Sequence, residues 1–202
     1  ADYMDASNQA RRGIVQKCKY KSLARTFQHQ IARQTISDHI LDGNPLPGDL
    51  LEKAVEVRHR IPDTEFDATL FGYNADFIEA FAASAAKFNF SDFEIVAPEN
   101  IGNPTYNGTL VRFTPSLLTY RLTQANTQKV GAVMYRYAKG SPLSPAVGEF
   151  QAAFMFGYFS QNPFIEEAKP EHKLCRIVCA VSGKTYIAPA KAIYKFNEMK
   201  AV

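Results

Sequence analysis

The spacing of apolar positions predicts helices in the first part of the chain. Between residues 7 and 42, apolar side chains recur every three or four positions, which is typical of one long helix with a buried stripe. That stripe consists of Tyr20, Leu23, Ala24, Phe27 and Ile31. A second, shorter helix is predicted from Asp49 to just before Pro62. A third is predicted from about residue 75 to residue 88, with Asn74 as its N-cap.

The pattern becomes strand-like after Asp92. A short strand is predicted at residues 93–97, and two long runs follow at residues 109–122 and 129–139. An aromatic-rich segment after Ser144 is long enough to favour a buried helix. Two short runs flank Ser182-Gly183 and indicate a tight hairpin. The predicted order after residue 66 is helix, three strands, helix and strand, so we expect an α+β fold.

The two long runs, TLVRFTPSLLTYRL and KVGAVMYRYAK, resemble the metal-binding hairpin of the PD-(D/E)xK nucleases in order and spacing. The resemblance implies a restriction-endonuclease-like αβββαβ core with a mixed central sheet over residues 67–202, after an N-terminal helical extension over residues 1–66. In that family, an Asp after a Pro binds the metal, and a carboxylate and a lysine follow on the next strand. Here Ser116 follows Pro115, and the second strand carries Ala132 and Met134. Since none of these side chains is a hard oxygen ligand, the resemblance implies a core without its metal site.

A second interpretation is that the chain is catalytic and that its metal-binding carboxylates lie at other positions in the sequence. Some families carry a carboxylate on a flanking helix, and Glu79 and Glu149 are the candidates here. Arg136 or Lys139 could then replace the lysine, and the chain would be an active Mg²⁺-dependent nuclease. The alternative is that Glu79 and Glu149 are solvated charges on helix faces. On that alternative we expect no catalytic residue, no metal and no other cofactor.

Positive charge is concentrated in the first predicted helix. The whole chain carries a net charge of only +3, which permits a polyanionic partner without requiring one. No acid occurs between Asp5 and Asp38, whereas the basic residues there are Arg11, Arg12, Lys17, Lys19, Lys21, Arg25 and Arg33. In a continuous helix, Lys21, Arg25, His29 and Arg33 form a cationic ridge with steps of about 6 Å, which can follow a phosphate backbone. We therefore predict that this segment binds DNA or RNA; a solvated face of a packed helix is the alternative.

The three cysteines match neither a disulfide framework nor a zinc site. Cys175 and Cys179 would lie about 13 Å apart on a strand, which is too far to share one ion. They alternate with Ile177 as an inward face, so we predict buried thiols. The odd cysteine count, the lack of an apolar run of about 20 residues and the acidic start of the chain predict a cytoplasmic protein.

Three functions remain open from the sequence. The first is a non-catalytic nucleic-acid-binding or scaffold subunit on a degenerate nuclease-like core, by fold analogy in a bacterial defence or mobile-element complex of a bacterium or phage. The second is the active nuclease. The third is a structural or assembly protein that uses the aromatic segment 150–164 as an interface, although a buried core is favoured there. Protein partners or a homo-oligomer are compatible with each function, and no membrane partner is expected.

Overall fold

The computed structural model describes residues 2–18, 28–43, 47–98, 101–162 and 168–201. The first part is helical, with α1 (Asp2–Asp5), α2 (Asn8–Cys18), α3 (Gln30–Leu41), α4 (Pro47–Arg58) and α5 (Glu65–Ser84). The strands and two further helices follow: β1 (Glu94–Val96), β2 (Thr105–Tyr106), β3 (Thr109–Leu110), β4 (Leu117–Leu122), β5 (Gln128–Arg136), α6 (Pro145–Gln161), β6 (Lys169–Pro170), β7 (Arg176–Cys179), β8 (Lys184–Ile187) and α7 (Ala192–Lys200). The predicted α+β class is confirmed.

The main sheet is mixed, with strand order β1-β4-β5-β7-β8. Strand β4 is antiparallel to both β1 and β5, whereas β5 and β7 are parallel, and β8 returns antiparallel to β7. Helix α6 makes the crossover that a parallel pair requires. Leu117 pairs with Val133, so the start of β4 lies beside the end of β5.

Helices cover both faces of this sheet. On one face, α3, α4 and α5 share a core with Leu117, Val133 and Tyr135. On the other face, α6 and α7 share a core with Ala132 and Ile177. The alternation of side chains along β5 therefore divides its residues between two apolar cores, which explains why this run contains so few polar residues.

The prediction of one continuous helix from residue 7 to residue 42 is wrong at Gln28 and His29. These two residues form a turn, and α3 begins after them at Gln30. Helix α2 ends at Cys18, and residues 19–27 lie outside the described part of the chain. The predicted ridge therefore does not run along a single helix through His29.

Asn74 is not the N-cap of the third predicted helix. That helix, α5, begins ten residues earlier at Glu65, and the Oγ1 of Thr64 accepts a hydrogen bond from the amide of Asp67 at 3.1 Å. Asn74 lies inside α5 and is fully buried. Its Oδ1 accepts from the amide of Ala32 at 2.8 Å, and its Nδ2 donates to the carbonyl of Gln28 at 2.9 Å. Asn74 thus caps the first turn of a different helix, α3.

Other elements agree with their predictions. Helix α6 begins after Ser144, whose hydroxyl accepts from the amide of Val147 at 3.3 Å. Gly183 has a positive φ of 63° in the β7–β8 hairpin, where glycine adopts this conformation without strain.

The prediction of one strand-like run over residues 109–122 is wrong in its first part, because β3 belongs to a separate sheet with β2, and Pro115 lies between β3 and β4. The boundary predicted between residues 66 and 67 falls in the first turn of α5, and the division into two domains stays a prediction.

None of the helices in the described ranges is both long enough and apolar enough to cross a membrane.

Candidate functional site

Ser116, at the position where the resemblance expects a metal-binding Asp, forms hydrogen bonds that hold neighbouring elements together. Its amide donates to the carbonyl of Val133 at 2.8 Å. Its hydroxyl accepts from the amide of Tyr135 at 3.3 Å, and its carbonyl accepts from the hydroxyl of Ser37 at 3.3 Å. Ser116 therefore ties the start of β4 to β5 and to α3, and its oxygen atoms are used in these contacts.

The other two degenerate positions contribute apolar surface. Ala132 pairs with Leu118 across the hairpin and is fully buried. Met134 is partly buried and packs against the core beneath α6. A methyl group and a thioether do not replace the carboxylates that Mg²⁺ needs. In the described ranges, no three His, Cys, Asp or Glu side chains are grouped so that they could hold a metal ion.

The residues proposed for migrated catalysis are engaged in ion pairs. Glu79 on α5 lies 2.8 Å from Arg58, and Lys139 lies 2.9 Å from Asp76. Glu149 on α6 lies 3.1 Å from Lys195. Since α5 and α6 cover opposite faces of the sheet, the structure does not bring Glu79 and Glu149 together.

A cluster of cations lies where α3 meets the end of the β4–β5 hairpin. His29 and Arg33 are one helical turn apart, since the amide of Arg33 donates to the carbonyl of His29 at 3.0 Å. Arg136 is the last residue of β5, and all three side chains are partly buried. We call His29, Arg33 and Arg136 the cation cluster.

The pKa values in the cation cluster reflect burial and mutual repulsion. Burial lowers the pKa of Arg33, and the neighbouring charge of Arg136 lowers it further. Burial also lowers the pKa of His29, with further contributions from Arg33 and Arg136, to about 4. His29 is therefore neutral at pH 7, and the positive charge of the cluster resides on two guanidinium groups.

Two buried nitrogen atoms of the cation cluster have no partner within the described ranges. These atoms are Arg33 Nε and His29 Nδ1, and neither makes a hydrogen bond there. Leaving such a group unpaired costs about 1–3 kcal/mol. In the part of the chain that the structure describes, no carboxylate pairs with Arg33 or Arg136, and the acids near Tyr137 are held by Arg58 and Lys139. Perturbed, unpaired groups of this kind are typical of binding sites.

Aromatic rings fix the orientation of His29. Phe77 of α5 and Tyr137 stack with ring centroids 4.9 Å apart and planes only 12° apart. The His29 ring lies 5.5 Å from each of them and nearly perpendicular to both, at 88° and 83°. Because Phe77 is fully buried, this wall of the cluster is part of the core.

The remaining residues of the predicted cationic ridge have different positions. Arg11 is bound to α1, with its Nε donating to the carbonyl of Tyr3 at 3.1 Å, whereas Arg12 is exposed on α2. Lys17 lies in α2, and its side chain is outside the described part of the chain. Lys19, Lys21 and Arg25 lie entirely outside it. The structure therefore brings together His29 and Arg33 from the predicted set.

The cationic ridge predicted from the sequence does not include Arg136, for which the sequence suggests only the role of replacing a catalytic lysine. The signal in the sequence is an arginine within the mostly apolar run 129–139. That signal does not indicate which helix lies opposite.

The cysteines and the aromatic segment belong to the core. Cys175 and Cys179 are buried, as predicted, and burial raises the pKa of Cys175 to about 12. His172 directs Nδ1 towards the carbonyl of Ala188 at 3.0 Å. In the aromatic segment, Tyr158 and Phe159 are buried and pack against Phe113, which confirms the core interpretation for this part.

A cavity of about 320 Å³ lies on the α6 side of the sheet. Its lining is mostly aromatic and aliphatic, with Lys200 as its charged residue. The lining residues are Tyr3, Met4, Tyr106, Asn107, Thr109, Val111, Phe154, Met199 and Lys200. The cation cluster is not part of this cavity.

Comparison of the chain with protein families, with curated proteins and with solved structures found no match.

Proposed function

We propose that the chain is a non-catalytic nucleic-acid-binding subunit built on a restriction-endonuclease-like core. The observation that carries this proposal is the cation cluster, in which the charge of Arg136 acts on Arg33 and neither arginine has a carboxylate partner among the described residues. A phosphate group supplies the missing negative charge and accepts hydrogen bonds from guanidinium groups with good geometry. The phosphates of a nucleic acid are therefore the ligands that suit this site best.

The arrangement of the sheet supports the nuclease-like part of the proposal. If the separate β2–β3 pair and the two-residue strand β6 are left aside, helix α5 is followed by β1, β4 and β5, and then by α6 and β7, which is the element order that the resemblance implies. Arg136 directly follows Tyr135, whose amide donates to the hydroxyl of Ser116, the residue at which the resemblance expects a metal ligand. A binding surface for nucleic acid can persist after the ligands are lost, because phosphate contacts need only positive charge. A role in bacterial defence or in a mobile element rests on analogy alone.

Salt dependence tests the proposed function. Each phosphate contact contributes about 0.9 to the slope of log K against log salt on duplex DNA, and about 0.7 on single strands. Arg136→Gln removes one such contact, so it should reduce the slope by about 0.9 on duplex DNA and by about 0.7 on single strands. The matched control is Lys169→Gln, because Lys169 is exposed and pairs with Lys129, about 23 Å along β5 from Arg136.

The slopes can be compared if both variants have the same unfolding temperature as the wild type. A flatter slope for Arg136→Gln and an unchanged slope for Lys169→Gln support the proposal. Equal slopes for all three proteins, or no binding to DNA or RNA at low salt, contradict it.

A further inference from the structure

The unpartnered nitrogen atoms of the cation cluster lie below the protein surface. Arg33 Nε and His29 Nδ1 have lost their contact with solvent, and among the described residues no atom forms a hydrogen bond with either. On one side, the stacked rings of Phe77 and Tyr137 hold the His29 ring in place. A ligand therefore meets these nitrogens only if its acceptor atoms project away from the rest of the ligand.

Internal and terminal phosphates differ in this respect. An internal phosphodiester has a sugar on both sides, a single negative charge and two free oxygens. A terminal phosphate monoester projects from the end of a strand, carries three acceptor oxygens and has a charge of about −1.5 to −2 at pH 7. Its shape suits a recessed site better.

The charge of the cluster also matches a terminal phosphate. Arg33 and Arg136 together supply two positive charges, while His29 is neutral at pH 7. The carboxylates of Asp76 and Glu79 on α5 are already paired with Arg58 and Lys139, so they do not reduce this charge by a direct contact. A dianion balances the cluster, whereas a monoanion leaves one charge over.

We propose that the cation cluster binds the terminal phosphate of a nucleic-acid strand, an inference that rests on the proposed function. Arg33 and Arg136 donate to its oxygens from two sides, and His29 donates from Nδ1 in the tautomer that carries a proton there. Such a site recognises the end of a strand and is indifferent to its base sequence.

The test compares strand ends at constant sequence. Fluorescence anisotropy measures the binding of the full chain to three labelled oligonucleotides, which carry a 5′-phosphate, a 3′-phosphate or hydroxyl groups at both ends. We expect one phosphorylated strand to bind on the order of tenfold more tightly than the hydroxyl strand, as for an additional charge-assisted hydrogen bond. Arg33→Lys and Arg136→Gln should abolish this preference, and Lys169→Gln should retain it. Arg33→Lys keeps the charge but loses Nε, which separates hydrogen bonding from attraction alone.

The outcomes separate the two proposals. If all three strands bind the wild type equally and Arg136→Gln weakens each of them, the terminal-phosphate inference is overturned and nucleic-acid binding stands. If no strand binds, both fail. If millimolar inorganic phosphate reduces the preference for the phosphorylated strand without removing it, recognition of a strand end is supported. Binding of inorganic phosphate with no preference among the strands overturns the inference in favour of a free anion.

A spectroscopic readout is independent of the variants. A bound dianion favours the protonated imidazole, so it raises the pKa of His29 from about 4. NMR titration of the His29 ring protons should show this rise with the phosphorylated strand and not with the hydroxyl strand. An equal rise with both strands, or none with either, contradicts the inference.

Discussion

At the scale of single residues, His29 shows how packing changes the chemistry of a side chain. On an exposed ridge, His29 would titrate near its ordinary pKa of about 6.5 and share the positive charge of its neighbours. In the structure, burial and the charges of Arg33 and Arg136 lower its pKa to about 4. His29 is therefore a neutral hydrogen-bonding group at pH 7, and the charge of the site depends on the two arginines.

The lowered pKa of His29 predicts a loss of stability in acid. Between pH 6.5 and pH 4 the unfolded chain binds a proton at His29 that the folded chain does not, so the free energy of unfolding falls as the pH falls. The loss begins near pH 6.5 and is complete below pH 4. His29→Gln lacks this contribution, so urea unfolding should show the stability of wild type declining relative to the variant over that range. A difference that does not change with pH would contradict the lowered pKa.

At the scale of elements, the position of α3 depends on a contact from α5. His29, which precedes α3, makes no side-chain capping bond, and Asn74 instead accepts a hydrogen bond from the amide of Ala32. The same side chain donates to the carbonyls of Gln28 and Leu70. Because Arg33 follows Ala32 directly, Asn74 also fixes where the cation cluster lies.

Removing the Asn74 side chain should weaken both the fold and the site. Asn74→Ala leaves the amide of Ala32 and the carbonyl of Gln28 without a partner inside the protein, at a cost of about 2–3 kcal/mol. The control is Asn197→Ala on α7, where the asparagine is exposed and alanine has the higher helix propensity, so stability should be unchanged or slightly raised. Guanidinium unfolding measures both variants. Equal stabilities of the two would show that Asn74 does not hold α3.

At the scale of the whole molecule, the sheet determines what the hairpin can do. Ser116 directly precedes β4, and Ala132 and Met134 lie on the neighbouring strand β5. The carboxylates that could replace the missing ligands lie on helices that cover opposite faces of the sheet. Glu79 and Glu149 are thus separated from each other, and the positive charge of Arg33 and Arg136 lies where α3 meets the end of β5.

This separation predicts binding without cleavage. A Mg²⁺ or Mn²⁺ ion at the hairpin would meet only water and backbone oxygens, because Ser116, Ala132 and Met134 offer no ionised oxygen. Incubation with single- and double-stranded DNA and RNA should leave each substrate intact on denaturing gels. Metal-dependent cleavage that disappears in Glu79→Gln or Glu149→Gln would instead support the active nuclease.

The sequence by itself determined the elements whose signals are local. The length of the aromatic segment after Ser144 predicts a helix, and the turn residues Ser182-Gly183 predict a hairpin. Such signals depend on neighbours within a few positions, so they are readable without the fold. The burial of Cys175 and Cys179 followed from their alternation with Ile177 along one strand.

Only the tertiary structure decided how distant segments meet. In the fold, Asn74 caps the first turn of α3 and does not cap its own helix. The charge of Arg136 on β5 acts on Arg33 of α3. The tertiary structure also made His29 a neutral side chain between aromatic rings. The physical reason is the same in each case: hydrogen-bond partners, desolvation and repulsion between charges depend on which surfaces pack together, and residues far apart in the chain supply those surfaces.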